Sequence, residues 1–301
     1  MNQKLVPVPI IAVVIIIGMV YFGINQNNFE ESEQNEIIIK TQLSQEKITP
    51  ELIEINVKSL FKVFAYEDDF DMIEGKKIWR NVYFELDESK NELYDSIKNQ
   101  KKSAVVFPIF TAAAYSEPGF YTFYRGECDQ EFHGVLFRED DCLTVQIKDE
   151  YNPGFTSSAN ALQILNLLNY EIITDITIHQ NPTILSHYEK IILLHNEYVT
   201  QEEFDAIISH PNVIYLYPNA LYAEVEFNEK EWNISLIRGH NYPEITIRNG
   251  FDWKYDNSPD EYDVTCNEMQ FSRIPNGWML NCYPENVLDE TFELLQQIKE
   301  F

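Results

Sequence analysis

One stretch of the chain has no polar interruption. Leu5 to Ile24 reads LVPVPIIAVVIIIGMVYFGI, and no later run matches it in length. A helix of about 20 apolar residues crosses a bilayer core. A transmembrane anchor over residues 5–24 is therefore expected, with residues 1–4 on the cytoplasmic side. Lys4 is the side-chain cation before the run, and Glu30, Glu31, Glu33 and Glu36 follow it. That asymmetry orients the remaining chain outward, and no small-x-small cleavage site follows the run. Residues 25–48 are polar and acidic and read as a stalk. Residues 49–102 form an accessory segment. Within it, LIEINVKSLFKVFAY fits a helix begun at Thr49-Pro50 or an alternating strand. Ile78–Leu86 predicts a strand, and the polar run from Asp87 a short helix.

From Ser103 the pattern becomes regular. Ala104–Phe110 is a short apolar run suited to a buried strand. A loop rich in aromatics follows, YSEPGFYTFYRGEC, and it reads as a lid or as a platform for a sugar or peptide. Ala161, Ile164, Leu165 and Leu168 share one helical face, capped by Ser157 or Ser158. EIITDITI predicts a strand, NPTILSHYE a short helix, KIILLH a strand. Thr200 and Glu203 form a capping box for the next helix, and Val213–Tyr217 is another apolar strand. Strands alternating with helices predict a mostly parallel sheet covered on both faces, an α/β domain over residues 103–301. Two added β-hairpins are expected beyond Ala223, AEVEFN with EWNISLIRG and QFSRI with WMLNC. The closing segment predicts an amphipathic helix.

Charge narrows the partners. Forty-nine acidic against 22 basic side chains leave a formal net charge of −27. Phosphate contacts need Lys and Arg, so nucleic acid is excluded as a partner. Four cysteines fit an oxidising location and allow three pairings. Local bridges Cys128–Cys142 and Cys266–Cys282 are expected, because each pair brackets a possible hairpin. Asn233 in WNIS is a glycosylation sequon.

From Ala104 onward the chain resembles the class I glutamine amidotransferase-like fold, a flavodoxin-like sheet. That family places a nucleophilic Cys on a tight elbow after a central strand, and a His-Pro-Glu near the end. Here the elbow reads YPNALYAEV and offers neither Cys nor Ser. Tyr283 stands where the family has His, ahead of the matching Pro284 and Glu285. A thioester reaction needs an activated nucleophile beside a base, so the resemblance implies a scaffold without acyl-transfer chemistry. HNEYVT and NALY also resemble the C-terminal domain of the N,N-dimethylformamidase large subunit. Membrane-anchored archaeal proteins of unassigned function are similar across GFYTFYRGEC, LHNEYVT and RGHNYPE. The dimethylformamidase resemblance implies iron held by two Tyr and a Glu, with Tyr198 and Tyr222 as the matching tyrosines. Glu197, Glu244 and Glu285 all remain open as the carboxylate.

In open α/β sheets, ligands bind just past the strand ends. His195, Glu197, Tyr198, Asn219 and Tyr222 are therefore expected to line one side of a pocket, with Tyr283 and Glu285 opposite. His240 is a further metal candidate with His195. Asp256–Asp263 lacks the spacing of a calcium loop and reads as solvated. Two function classes follow. One is an extracytoplasmic domain binding a small molecule or glycan. The other is an iron-dependent amide hydrolase.

Overall fold

The stretch that fits helix and strand alike folds as strands. The computed structural model describes residues 51–128, 131–132, 135–136, 138–149 and 158–301; the expected anchor and stalk lie outside them. Among the described residues no helix is long and apolar enough to cross a membrane. Strands β1 (Leu52–Glu54) and β2 (Lys62–Tyr66) pair antiparallel. Alternation prevails because Val63 and Ala65 are buried between more exposed neighbours. The strand expected over Ile78–Leu86 is two. Arg80 bonds the Asp71 carboxylate and Asn81 bonds Asp69, and the ladder breaks there. Strand β3 (Phe70–Ile73) thus pairs with β4 (Lys76–Trp79), while β5 (Tyr83–Glu85) pairs with β2. Helix α1 (Asn91–Ile97) follows.

Strand β6 (Ser103–Phe107) ends at Pro108, and the chain turns directly into α2 (Ile109–Ala114). The aromatic loop contains a one-turn helix, α3 (Phe120–Tyr124). Next come β7 (Glu131–Phe132), β8 (Val135–Leu136), α4 (Glu139–Cys142), β9 (Thr144–Gln146) and α5 (Ala159–Leu167). Then follow β10 (Glu171–Thr174), α6 (Asp175–Gln180), β11 (Lys190–Leu193), β12 (Tyr198–Val199), α7 (Gln201–Ser209) and β13 (Val213–Tyr215). The chain closes with β14 (Ala223–Asn228), β15 (Asn233–Arg238), β16 (Phe271–Ile274), β17 (Gly277–Leu280) and α8 (Phe292–Glu300). EIITDITI is therefore strand only as far as Thr174. The Thr174 hydroxyl accepts from the Thr177 amide and starts α6. Asp175, buried, accepts from the Phe110 amide at the head of α2.

The main sheet runs β10-β6-β11-β13-β17-β16. Its first five strands are parallel and β16 is an antiparallel edge. Taken in chain order, the parallel strands stand 2-1-3-4-5. This corrects the second expected hairpin: β16 and β17 do pair, but β17 lies beside β13 as a strand of the main sheet. Successive side chains feed opposite faces. Val105, Ile192, Ile214 and Leu280 join Leu165 and Leu295 in one core. Val106, Leu193, Tyr215 and Met279 join Ile178, Phe204 and Ile207 in the other. Phe61, Val63, Phe84 and Tyr94 from the accessory segment share the first core. A smaller sheet, β12-β14-β15-β9, buries Val225, Phe227, Ile234 and Leu236 against Phe110 and Phe120.

Both disulfides form as expected, Cys128–Cys142 with Cα atoms 6.4 Å apart and Cys266–Cys282 with 5.3 Å. Closing a loop of this size stabilises by about 3 kcal/mol. Replacing Cys266 and Cys282 together by Ser should lower unfolding free energy by about that amount in urea titration. At Gly277 the β13–β17 contact leaves no room: a Cβ would sit 1.7 Å from the Val213 carbonyl oxygen. Gly277→Ala should cost about 3 kcal/mol or more in the same titration, because the obstacle is backbone.

Candidate functional site

Strand order decides where a ligand site lies. In a 2-1-3-4-5 sheet the chain reverses direction of growth between β6 and β11, and a crevice opens past their carboxyl ends. From β6 the chain runs into Thr111 and Tyr115, and from β11 into His195, Asn196 and Glu197. The Thr111 hydroxyl accepts from the amides of Glu197 and Tyr198, at 3.0 and 3.1 Å. The Glu197 carbonyl accepts from the Tyr222 and Ala223 amides. The peptide at Glu197 is thus fixed from both sides, by the main sheet's α2 and by the start of β14.

The Glu197 side chain is fully buried. His240 Nε2 donates a short hydrogen bond to its Oε1. The Tyr115 hydroxyl donates to Oε2 at 2.9 Å. His195 Nε2 stands 3.3 Å from the same oxygen, in ion-pair range but not aligned as a hydrogen bond. His195 Nδ1 in turn faces the Tyr283 hydroxyl at 3.3 Å. Burial works against a charge on Glu197, but the two imidazoles outweigh it and hold the carboxyl down to about 2.

Tyrosines close the rest. The Tyr198 hydroxyl donates to that of Tyr124 at 3.2 Å, and the Tyr121 ring packs on that of Tyr115 at 4.4 Å. Burial and the nearby carboxylate push these phenols well above their usual range, so they are neutral donors. The Tyr222 ring meets His240 edge-on at 4.6 Å. Glu285 is drawn elsewhere. It accepts from the Asn160 amide at the head of α5 and from the Tyr217 hydroxyl, and burial pushes its carboxyl up to about 7.

The expected residues therefore gather in part. His195, Glu197, Tyr198, Tyr222 and Tyr283 share one cluster, and Glu285 caps a helix beside it. Asn219 sits in the turn after β13 with φ 59, its Oδ1 buried and without a partner. Asn tolerates this left-handed conformation better than most residues. Asn233 begins β15, opposite Asn228 and Gln146 in the ladder. Tyr115, Tyr121 and Tyr124 were expected only as part of an aromatic lid or platform, not as partners of Glu197. Their signal was the i,i+3 spacing of Tyr121 and Tyr124, which puts both on one face of α3.

The tyrosines expected for iron, Tyr198 and Tyr222, both pack their rings on His240. Both Glu197 oxygens accept from protein donors. Among the described residues no group of three His, Cys, Asp or Glu side chains is placed to hold a metal ion. An open groove of about 390 Å³ lies elsewhere, lined by His179, Thr200, Glu202, Glu224, Glu226 and Phe227. The Glu197 cluster carries the stronger claim, because it joins a buried charge to the sheet's switch point, whereas the groove presents solvated carboxylates.

No protein family model matches the chain, and no curated protein is significantly similar to it.

A carboxyl held low contributes stability above its unfolded pKa of about 4.3 and loses it as pH falls toward about 2. Glu197→Gln should therefore cost about 3 kcal/mol at pH 6 and less than half as much near pH 3. Urea titrations of both proteins across that range provide the comparison.

Proposed function

We propose that this protein is a membrane-anchored extracytoplasmic binding domain on an amidotransferase-like scaffold, acting without acyl transfer. The observation that carries this reading is the cluster itself. A buried, ionised carboxylate, two histidines and a rim of neutral tyrosines stand at the switch point, and the elbow beside them offers no nucleophile. The 2-1-3-4-5 strand order supports a flavodoxin-like sheet. The left-handed turn at Asn219 supports an elbow of the kind that holds a nucleophile in related architectures. Tyr283, at the position of the family's catalytic His, touches His195 but is a poor base near neutrality. Two disulfides support an oxidising compartment, in keeping with an outward orientation past residues 5–24.

An electrophilic glutamine analogue should leave the mass of the full-length protein unchanged in non-ionic detergent. A panel of amines, amides and sugars screened by thermal shift should yield at least one ligand that raises Tm in the wild type and not in Tyr115→Phe, which loses one hydroxyl at Glu197. Covalent labelling by the analogue overturns the reading. So does stoichiometric iron with a tyrosinate-to-iron absorption band, which would put the amide hydrolase in its place.

A further inference from the structure

His240 occupies the centre of the cluster although it comes from far along the chain. It is delivered by the turn after β15, where Gly239, His240 and Asn241 take φ of 124, 51 and 67. A Cβ on Gly239 would lie 2.9 Å from Ala223 Cα, so the turn is pressed against β14. The His240 amide donates to Arg248 O and the Asn241 amide to Ile247 O, at 3.0 and 2.7 Å, which holds the turn in place.

The imidazole lies among four tyrosine rings. Tyr198 stacks on it at 5.7 Å, Tyr124 tilts across it at 4.9 Å, and Tyr222 and Tyr121 meet it edgewise at 4.6 and 6.4 Å. Its Nε2 reaches the Glu197 carboxylate at the floor. Tyrosine rings around a carboxylate suit an organic cation, because ring faces attract positive charge and the carboxylate supplies the counter-charge. His240 sits in the position such a cation would take.

Two further facts point the same way. The His240 side chain is 23% exposed, whereas those of His195 and Glu197 beneath it are 2% and 0% exposed. It is the most exposed of these three, and it is carried on a turn, not on a strand of either sheet. Vacating the site also strips Glu197 of one of its two histidine neighbours. A neutral molecule entering there leaves a buried carboxylate short of compensation, whereas a cation restores it.

We infer that this site takes a small organic ammonium group, and that His240 is a built-in occupant which the ammonium displaces. The inference rests on the binding reading above and names its ligand class.

Calorimetric titration of the full-length protein in non-ionic detergent tests it. The probes are choline and its uncharged isostere 3,3-dimethylbutan-1-ol. Choline should bind His240→Ala at least tenfold more tightly than wild type, and at least tenfold more tightly than the alcohol does. His240→Asn, which keeps a residue suited to the left-handed turn, should behave like His240→Ala. Adding Glu197→Gln to either variant should abolish the preference for choline. Equal binding of choline and the alcohol overturns the cation class and leaves the binding reading standing. Equal binding of choline to wild type and both variants overturns the role of His240. No binding of either probe to any variant overturns the ammonium class, and the wider ligand panel then decides the binding reading by itself.

Discussion

A carboxylate buried without compensation is among the costlier things a fold can contain, and Glu197 is one that has been compensated. Its partners come from three separate parts of the chain. His195 lies two residues back on the same strand end, Tyr115 ends the helix after β6, and His240 follows the hairpin of the smaller sheet. None of these can reach Glu197 unless the main sheet, the α2 segment and the smaller sheet are all seated. The backbone repeats the condition: Thr111 holds the Glu197 amide and β14 holds its carbonyl. Docking of the second sheet and assembly of the site are therefore one event energetically. Loss of any one partner weakens both.

The neighbouring strand ends show the same economy with different outcomes. At the turn after β13 the backbone adopts a left-handed conformation, but the side chain there is the amide of Asn219. At the end of β17, Tyr283 continues the polar chain from His195, whereas Glu285 turns to the amides heading α5. The Tyr217 hydroxyl completes the Glu285 site. The ends of β6, β11 and β17 thus carry polar side chains with partners, whereas the Asn219 Oδ1 past β13 has none. What distinguishes the Glu197 end is that its charge is ionised and its partners are themselves titratable.

Much of this was legible in the residues, and the exceptions have physical causes. Apolar runs such as Lys190–Leu193 and Val213–Tyr215 announce buried parallel strands, and the Thr200 cap announces α7. EIITDITI misleads because apolar alternation continues past Thr174 into a helix; the competing signal was the Thr174-Asp175 pair, a helix start in the midst of a strand pattern. The pairing of β17 with β13 leaves no local trace, since parallel neighbours are set by tertiary contacts. Past the strand ends, Glu197 and His195 were accessible by topology alone. His240 was visible only as a second histidine distant in sequence, because the link depends on how the β14–β15 hairpin folds back. The contact of the Tyr222 ring with His240 depends on the same fold-back.

The Cys266–Cys282 bridge ends one residue before Tyr283. The Tyr283 amide donates to Asp263 O, and Asp263 also accepts from the Cys266 amide, so the bridge and these two bonds form a single brace around the tyrosine. His195 therefore finds its partner hydroxyl already in position once the bridge has closed. A chain whose thiols stay reduced keeps Tyr283 on a looser tether and presents an unfinished cluster.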